Sequence, residues 1–290
     1  MRKLLLLILL TGCSEITIDA CFTNCTGFME AYIRNHDVGC AFYDIDHPRI
    51  IQALDNTTVF VDENTHSPGI KINGSGLMHH KFCTDGRSVL TGSTNPTLTG
   101  LHNNDNSMLI VHSPEIARIY ARELELLTSE HQAQHTRIDA EDITIDAHIC
   151  HNTCIDVIVQ ELREAQTSID FMIFTFTHRS VLHGLAYANL HNITVRGVLE
   201  SRSASHDAYH FLRYQGIDVC FDANPAVMHH KVFIVDNRTV IMGSFNPTKN
   251  ADTKNHENLL IIQSEEVAGW YMQEFTRLYR AAIPLRPSSV

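Results

Sequence analysis

A chain of 290 residues with 44% hydrophobic content can bury a substantial core, as one large domain or two modest ones. Its formal charge of -11, from 22 basic and 33 acidic residues without a long run of either sign, argues against holding long duplex nucleic acid by phosphate neutralisation alone. A local basic groove is compatible with that balance, and the 19 histidines lean weakly towards imidazole chemistry near neutral pH.

The chain begins MRKLLLLILLTGC, in which Arg2 and Lys3 precede a short apolar run and small residues. This is the layout of a secretory signal, and the run is too short for an ordinary spanning helix. Leu10-Thr11-Gly12-Cys13 also fits a prokaryotic lipobox, which would make Cys13 the lipidated N-terminus of the mature chain. The expectation is a signal over residues 1–13 and an exported protein, either anchored to the outer face of the cell membrane through Cys13 or secreted.

Export bears on the remaining cysteines, Cys21, Cys25, Cys40, Cys83, Cys150, Cys154 and Cys220. Disulfides are the favoured reading in an oxidising compartment. Cys21/Cys25 and Cys150/Cys154 share a C-x3-C spacing before a predicted helix, a loose fit to a zinc knuckle. Spacing does not fix the connectivity, and an odd count leaves at least one thiol outside an intramolecular bridge.

Much of the chain is written twice. CFTNCTGFMEAYIRNHDVGCAFYDI, from Cys21, aligns with CHNTCIDVIVQELREAQTSIDFMIF, from Cys150. MHHKFCTDGRSVLTGSTNPT (Met78–Thr97) matches MHHKVFIVDNRTVIMGSFNPT (Met228–Thr248), and Asn103–Leu127 matches Thr253–Tyr279. The chain therefore reads as a tandem duplication, residues 21–129 and 149–282, joined by a polar stretch over 130–148.

In the second repeat, helical spacing over Ile155–Ala165 is followed by a buried-type strand over Ser168–Phe176. A helix over Val181–Leu190, a strand over Ile193–Leu199 and a helix over Asp207–Tyr214 come next. Strands follow at Val227–Val235, Thr239–Met242 and Leu259–Ile262, then an amphipathic helix from Glu265 to Arg280. This alternation predicts an α/β fold with a sheet flanked by helices in each repeat. The interval from Asp62 to His79 is much shorter than that from Glu200 to His229, so the first repeat lacks the helix before its motif strand.

Residues two apart on a strand share a face, which puts His79 with Lys81 and His229 with Lys231. The return strand brings Gly-Ser-x-Asn back towards the histidine, supplying Ser93 and Asn95 or Ser244 and Asn246. An imidazole, an ammonium, a hydroxyl and an amide together suit a tetrahedral anion: the cation and neutral donors hold phosphate oxygens while the imidazole attacks or donates a proton. A lone H-x-K would be an ordinary strand edge. Recurrence of the whole polar set at nearly matched offsets points to function, because such residues do not build a core.

The pattern H-x-K-x4-D-x6-G-S-x-N, twice in one chain, resembles the signature of the phospholipase D superfamily over nearly all the mature sequence. The resemblance implies a phospholipase D-like α/β fold, two repeats packed about a pseudo-twofold axis, and one active site formed within one chain. It implies His79 as nucleophile, giving a phosphohistidine, and His229 as the acid, with no metal or other cofactor. Lys81, Lys231, Ser93, Asn95, Ser244 and Asn246 would bind the phosphate, and Asp85, Asp236 and Glu257 would support them. Asn106 stands where Glu257 has its repeat-1 counterpart. His80 and His230 fall on the opposite strand face and read as sheet-face residues rather than metal ligands.

The compact repeats and the GSFNPT segment are similar to small exported or archaeal-type nucleases of the superfamily, so the expected substrate is DNA or RNA. Phospholipid is the alternative substrate, and a catalytically weak surface binding protein is the alternative class. The last is motivated by the first motif, which has one residue fewer between Lys81 and Asp85 than lies between Lys231 and Asp236. Since His79, Lys81, Ser93 and Asn95 persist, Asp85 at its Asp-Gly turn is expected to absorb the change.

Overall fold

The computed structural model describes residues 16–129 and 132–282, so the expected signal and Cys13 lie outside the described residues. The first repeat opens with β1 (Thr17–Phe22), α1 (Thr26–Asn35), β2 (Gly39–Phe42) and α2 (Pro48–Ala53). Next come β3 (Thr58–Asp62), β4 (Ile70–Ile72), β5 (Lys81–Thr84) and β6 (Ser88–Gly92). It closes with α3 (Leu98–His102), β7 (Ser107–His112) and α4 (Pro114–Leu126).

Two strands, β8 (Gln134–Asp139) and β9 (Thr144–Cys150), precede α5 (Cys154–Glu164) and β10 (Ser168–Ile173). Then follow α6 (Arg179–Leu190), β11 (Thr194–Leu199), α7 (His206–Tyr214) and β12 (Asp218–Phe221). The chain continues through β13 (Lys231–Val235), β14 (Thr239–Gly243), α8 (Lys249–Thr253) and β15 (Glu257–Gln263) to α9 (Glu265–Ala282). Among the described residues no helix is long and apolar enough to cross a membrane.

The strands form two mixed sheets of matching order. One runs β1-β7-β6-β5-β2-β3-β4, and the other runs β8-β9-β15-β14-β13-β10-β11-β12. In each, an antiparallel hairpin (β5–β6 or β13–β14) lies at the centre, with parallel pairs beyond β2 or β10. Only the second has a helix, α7, before its last parallel strand, which accounts for the unequal intervals before the two motifs.

Burial on both faces explains why the central strands read as unbroken apolar runs. On β13, Val232 and Ile234 face a core shared with residues of the other sheet such as Phe82 and Leu109. Phe233 and Val235 face an outer core covered by α5 and α6. Tyr120 of α4 and Tyr271 and Phe275 of α9 fill the shared core, so these long helices sit between the sheets and join the repeats. The start of α4 is written locally: Ser113 accepts a hydrogen bond from the Ile116 amide, and Pro114 occupies the first turn.

The stretch over 130–148 is not a plain joining segment. Its Gln134–Asp139 and Thr144–Cys150 parts add β8 and β9 to the second sheet, with β9 in the place that β1 holds in the first. The alternating burial of β8, half-covered on one face and exposed on the other, belongs to an edge strand, and its high polarity masked the alternation.

Among the described residues three disulfides form: Cys21–Cys25, Cys40–Cys83 and Cys150–Cys154. The seventh cysteine, Cys220, keeps a buried thiol 3.6 Å from the Gly197 carbonyl oxygen. Cys40 and Cys83 face each other across β2 and β5, two residues beyond Lys81. Replacing this pair with alanine is expected to lower the unfolding free energy by about 2–4 kcal/mol, read from urea denaturation.

Candidate active site

The two motif strands are placed by contacts between repeats. The amide of His79 donates to the His256 carbonyl oxygen at 3.0 Å, and that of His229 to the Asp105 carbonyl oxygen at 2.8 Å. His256 directly precedes β15 and Asp105 lies two residues before β7, so each histidine is seated against the segment that carries the other repeat's Glu257 or Asn106. Neither repeat can orient its own histidine alone.

The two imidazoles receive different partners. His79 Nδ1 lies 2.8 and 2.9 Å from the two Glu257 carboxylate oxygens. His229 Nδ1 lies 3.0 Å from both Asn106 Oδ1 and the Ser93 carbonyl oxygen. These oxygens can only accept, so Nδ1 carries the proton in each ring and Nε2 keeps its lone pair. The Asn106 amide is itself fixed by donating to the Gly100 carbonyl oxygen at 2.9 Å.

Ser93 and Ser244 occupy a layer beneath the histidines. Ser93 Oγ donates to Asn106 Oδ1 at 2.9 Å, and Ser244 Oγ donates to Glu257 at 2.6 Å. Each hydroxyl has one proton, already committed, so both serines hold the groups that orient the histidines. Glycine precedes each because a Cβ at Gly92 or Gly243 would run into the carbonyl oxygen of Ser107 or Asn258; Gly243 also has φ +151°. Asn95 and Asn246 differ from the serines: the buried Oδ1 of each has no hydrogen-bond partner.

Lys81 and Lys231 are both buried and donate to the carbonyl oxygens of His79 and His229 at 2.7 and 2.8 Å. Each ammonium also lies over an aromatic ring, Lys81 over Tyr43 at 5.5 Å and Lys231 over Phe174 at 5.0 Å. The same rings meet the histidines edge-on, at 5.2 Å for Tyr43–His79 and 4.6 Å for Phe174–His229.

Burial dominates the electrostatics. It lowers His79 to about 4, even though Glu257 pulls the other way. Burial, then Lys231, Lys81 and His79, hold His229 well below an ordinary histidine. Lys81 is lowered to about 7 by burial, and Lys231 is driven well down by burial and by Lys81. Burial pushes the Glu257 carboxyl up, but His79, Lys81 and Ser244 hold it below its usual range. His79, His229, Lys81 and Lys231 thus lie together with Glu257 as the one carboxylate on His79, and burial holds their charged forms down, an arrangement in which an incoming anion would restore charge to them.

Asp85 and Asp236 lie at the far end of the hairpins. Asp236 accepts from the backbone amides of Gln166, Thr167 and Ser168 and fastens the hairpin to the start of β10. Asp85 accepts from Arg87 and Ser88 within its own turn. The shortened first motif is accommodated there: four residues separate the paired Thr84 and Val89, whereas three separate Val235 and Thr239. The motif ends of both hairpins keep the same register.

His80 and His230 point away from this site into the layer of α4 and α9. They are fully buried, with His80 Nε2 3.0 Å from Glu123 and His230 Nε2 3.1 Å from Glu274. The two glutamates align between repeats, a signal available in the sequence as a recurrent acid on an otherwise core-facing helix stripe. Asp62 and Glu200 are likewise matched: Asp62 ends β3, Glu200 directly follows β11, and each accepts from the amide of Met78 or Met228 at 2.8 Å. Tyr43 and Phe174 were concealed for another reason. The ungapped alignment sets Phe174 against Ile45, whereas the fold, pairing Phe42 with Lys81 and Ile173 with Lys231, sets it against Tyr43.

A family model described as "Cardiolipin synthase, PLD-like domain" matches residues 41–128 and 158–279, covering the motif hairpins of both repeats. "Phospholipase D" of Rickettsia prowazekii is 32% identical over 124 residues, 42% of this chain and 60% of that protein. "Mitochondrial cardiolipin hydrolase" of Homo sapiens is 30% identical over 131 residues, 44% of this chain and 52% of that protein. The chain therefore spans between half and two thirds of the length of these curated relatives. Phosphatidylserine synthase of Haemophilus influenzae shares the fold, with a TM-score of 0.68 at 12% identity over 91% of this chain and 86% of its own. With both repeats matched and both motif hairpins built alike, the chain belongs to the phospholipase D superfamily.

Proposed function

We propose that this protein is a phosphodiesterase that works through a phosphohistidine on His79, with DNA or RNA as its substrate. The observation that carries the reading is the unequal pair of histidine partners. A carboxylate behind His79 raises the electron density at Nε2, as a nucleophile needs, whereas the neutral oxygens behind His229 leave its protonated form more acidic.

In this mechanism His79 Nε2 attacks phosphorus as the bond to the leaving oxygen breaks. His229, recharged by the incoming phosphate anion, gives its Nε2 proton to that oxygen. The same imidazole then takes a proton from water, whose oxygen displaces His79 from phosphorus. Lys81 and Lys231 neutralise the non-bridging oxygens, and the amides of Asn95 and Asn246 supply neutral contacts. Ser93 and Ser244 act by positioning Asn106 and Glu257, and Asp85 and Asp236 by holding the hairpin tips. Intact geometry at the motif end of the first hairpin supports an active enzyme over a surface binding protein.

The acidic net charge favours short or unpaired strands over long duplexes. Phospholipid is the second reading, favoured by relatives described as a phospholipase D and a cardiolipin hydrolase. Hydrolysis of labelled single- and double-stranded DNA, RNA, phosphatidylcholine and cardiolipin in EDTA separates the two. Lipid turnover without nucleic-acid cleavage rejects the nuclease reading. We also propose export, which the three disulfides support, with anchoring through Cys13. Loss of membrane association in Cys13→Ala would be the expected sign of the anchor.

A further inference from the structure

On the margin of the second sheet, three side chains from β8 and β9 converge without a role in the chemistry above. His135 and His148 are register partners across the two strands, and Asp146 lies two residues from His148 on the same face. One ligand atom from each, the imidazole nitrogens and a carboxylate oxygen, all fall within 4.8 Å of one another. His135 Nε2 is 2.5 Å and His148 Nε2 is 3.0 Å from the same Asp146 Oδ1.

These are ion-pair distances whose angles fall short of hydrogen bonds. Asp146 Oδ1 and His148 Nε2 are buried and lack a hydrogen-bond partner of acceptable geometry, although His148 is only 8% exposed. A buried imidazole nitrogen 3.0 Å from a carboxylate oxygen yet without hydrogen-bond geometry, beside a second imidazole on the same oxygen, requires an explanation. A shared cation supplies one, since it accepts electron pairs from all three atoms.

The surroundings favour a cation. Arg137, the register partner of Asp146, instead pairs with Asp139 at 3.0 Å. Glu161 on α5 adds a carboxyl to the environment of Asp146, raised by burial and by Glu164 and Asp146. The His135 side chain is 53% exposed, so the cluster is open to solvent on one side. Two imidazoles and one carboxylate are the donor set of zinc and similar borderline metals, with a fourth position available to water.

We propose that His135, Asp146 and His148 form a structural binding site for a zinc-class divalent metal that clamps the edge strand β8 to β9. Among its sheet neighbours β8 pairs only with β9, so a cross-strand ligand set would secure an otherwise one-sided edge. The site is separate from the phosphodiesterase reading, whose steps use no residue of this cluster.

The test uses the full chain carrying no polyhistidine tag, titrated with Zn2+ by calorimetry and with Co2+ by visible absorption. The expected result is one equivalent bound, with Co2+ bands of tetrahedral intensity and a rise in melting temperature on adding Zn2+. His135→Ala, at an exposed edge position, and Asp146→Asn should each weaken binding by on the order of 100-fold and remove the thermal shift. His256→Ala, which alters the separate buried group of His80, Glu123 and His256, should leave that equivalent in place. Absence of binding to the wild type at millimolar Zn2+, or unchanged binding and Co2+ spectra in both cluster variants, would overturn the proposal.

Discussion

His79→Asn is expected to abolish turnover, with kcat falling on the order of 10^4-fold or more, and to leave no phosphoenzyme. His229→Asn should lose roughly 10^2- to 10^4-fold on a natural diester, the usual contribution of a general acid. The two variants should separate on an ester with a good leaving group such as 4-nitrophenolate. Its departure needs no proton, so His229→Asn should still form an acid-labile phosphohistidine in rapid-quench labelling, while His79→Asn does not. The carboxylate partner of His79 and the neutral partners of His229 are the basis for this polarity. Labelling that persists in His79→Asn and vanishes in His229→Asn would invert the assignment, and an unaffected His79→Asn enzyme would reject the two-histidine mechanism.

The pH profile is the second large effect. His79 must be neutral to attack, so activity is present above its folded value of about 4 and is lost as pH falls through it. His229 must be protonated to serve as the acid, and Lys81 and Lys231 must be charged to hold phosphate, so activity declines as pH rises through their lowered values, that of His229 lying well below an ordinary histidine and that of Lys81 at about 7. A plot of kcat/KM should therefore be bell-shaped, with its plateau between these limits. In Glu257→Gln the carboxylate that raises His79 is gone, so the acid limb should move to lower pH. With the orienting charge lost as well, kcat should fall roughly 10- to 100-fold, the range found when a histidine loses its carboxylate partner at metal sites. A fall in rate with the acid limb unmoved would make Glu257 a packing residue.

The linear sequence exposed much of this site because its chemistry is carried by short, repeated spacings. His79 and Lys81 are two apart on one strand, and the return strand brings Ser93 and Asn95 back through a short turn. Such local geometry survives in the linear order. The doubling of the motif further made the two-repeat organisation legible, and period-two reasoning correctly sent His80 and His230 to the opposite face from the catalytic pair.

Other features depended on contacts that no spacing encodes. Glu257 could be placed as a supporting residue, but its bond to the histidine of the opposite repeat arises only when Met78 pairs with His256 across the pseudo-twofold arrangement. Ser93 and Ser244 read as phosphate donors because a hydroxyl in a motif looks available; their protons are consumed by Asn106 and Glu257 once the strands are stacked. Tyr43 and Phe174 needed the strand register, since β10 is six residues long and β2 four, which shifts the two repeats out of ungapped alignment.

The sequence by itself determined the duplicated α/β plan, the motif residues and the odd cysteine count, all of which follow from periodicity, recurrence and composition. Tertiary structure alone decided the bridge between Cys40 and Cys83, because Cys40 and Cys83 are brought opposite each other by antiparallel strands 43 residues apart in sequence. It also turned a polar stretch into β8 and β9, since an edge strand needs only one covered face. Above all, it gave two identical His-x-Lys segments unlike partners: each histidine is oriented by the other half of the molecule, where one repeat offers a carboxylate and the other an amide.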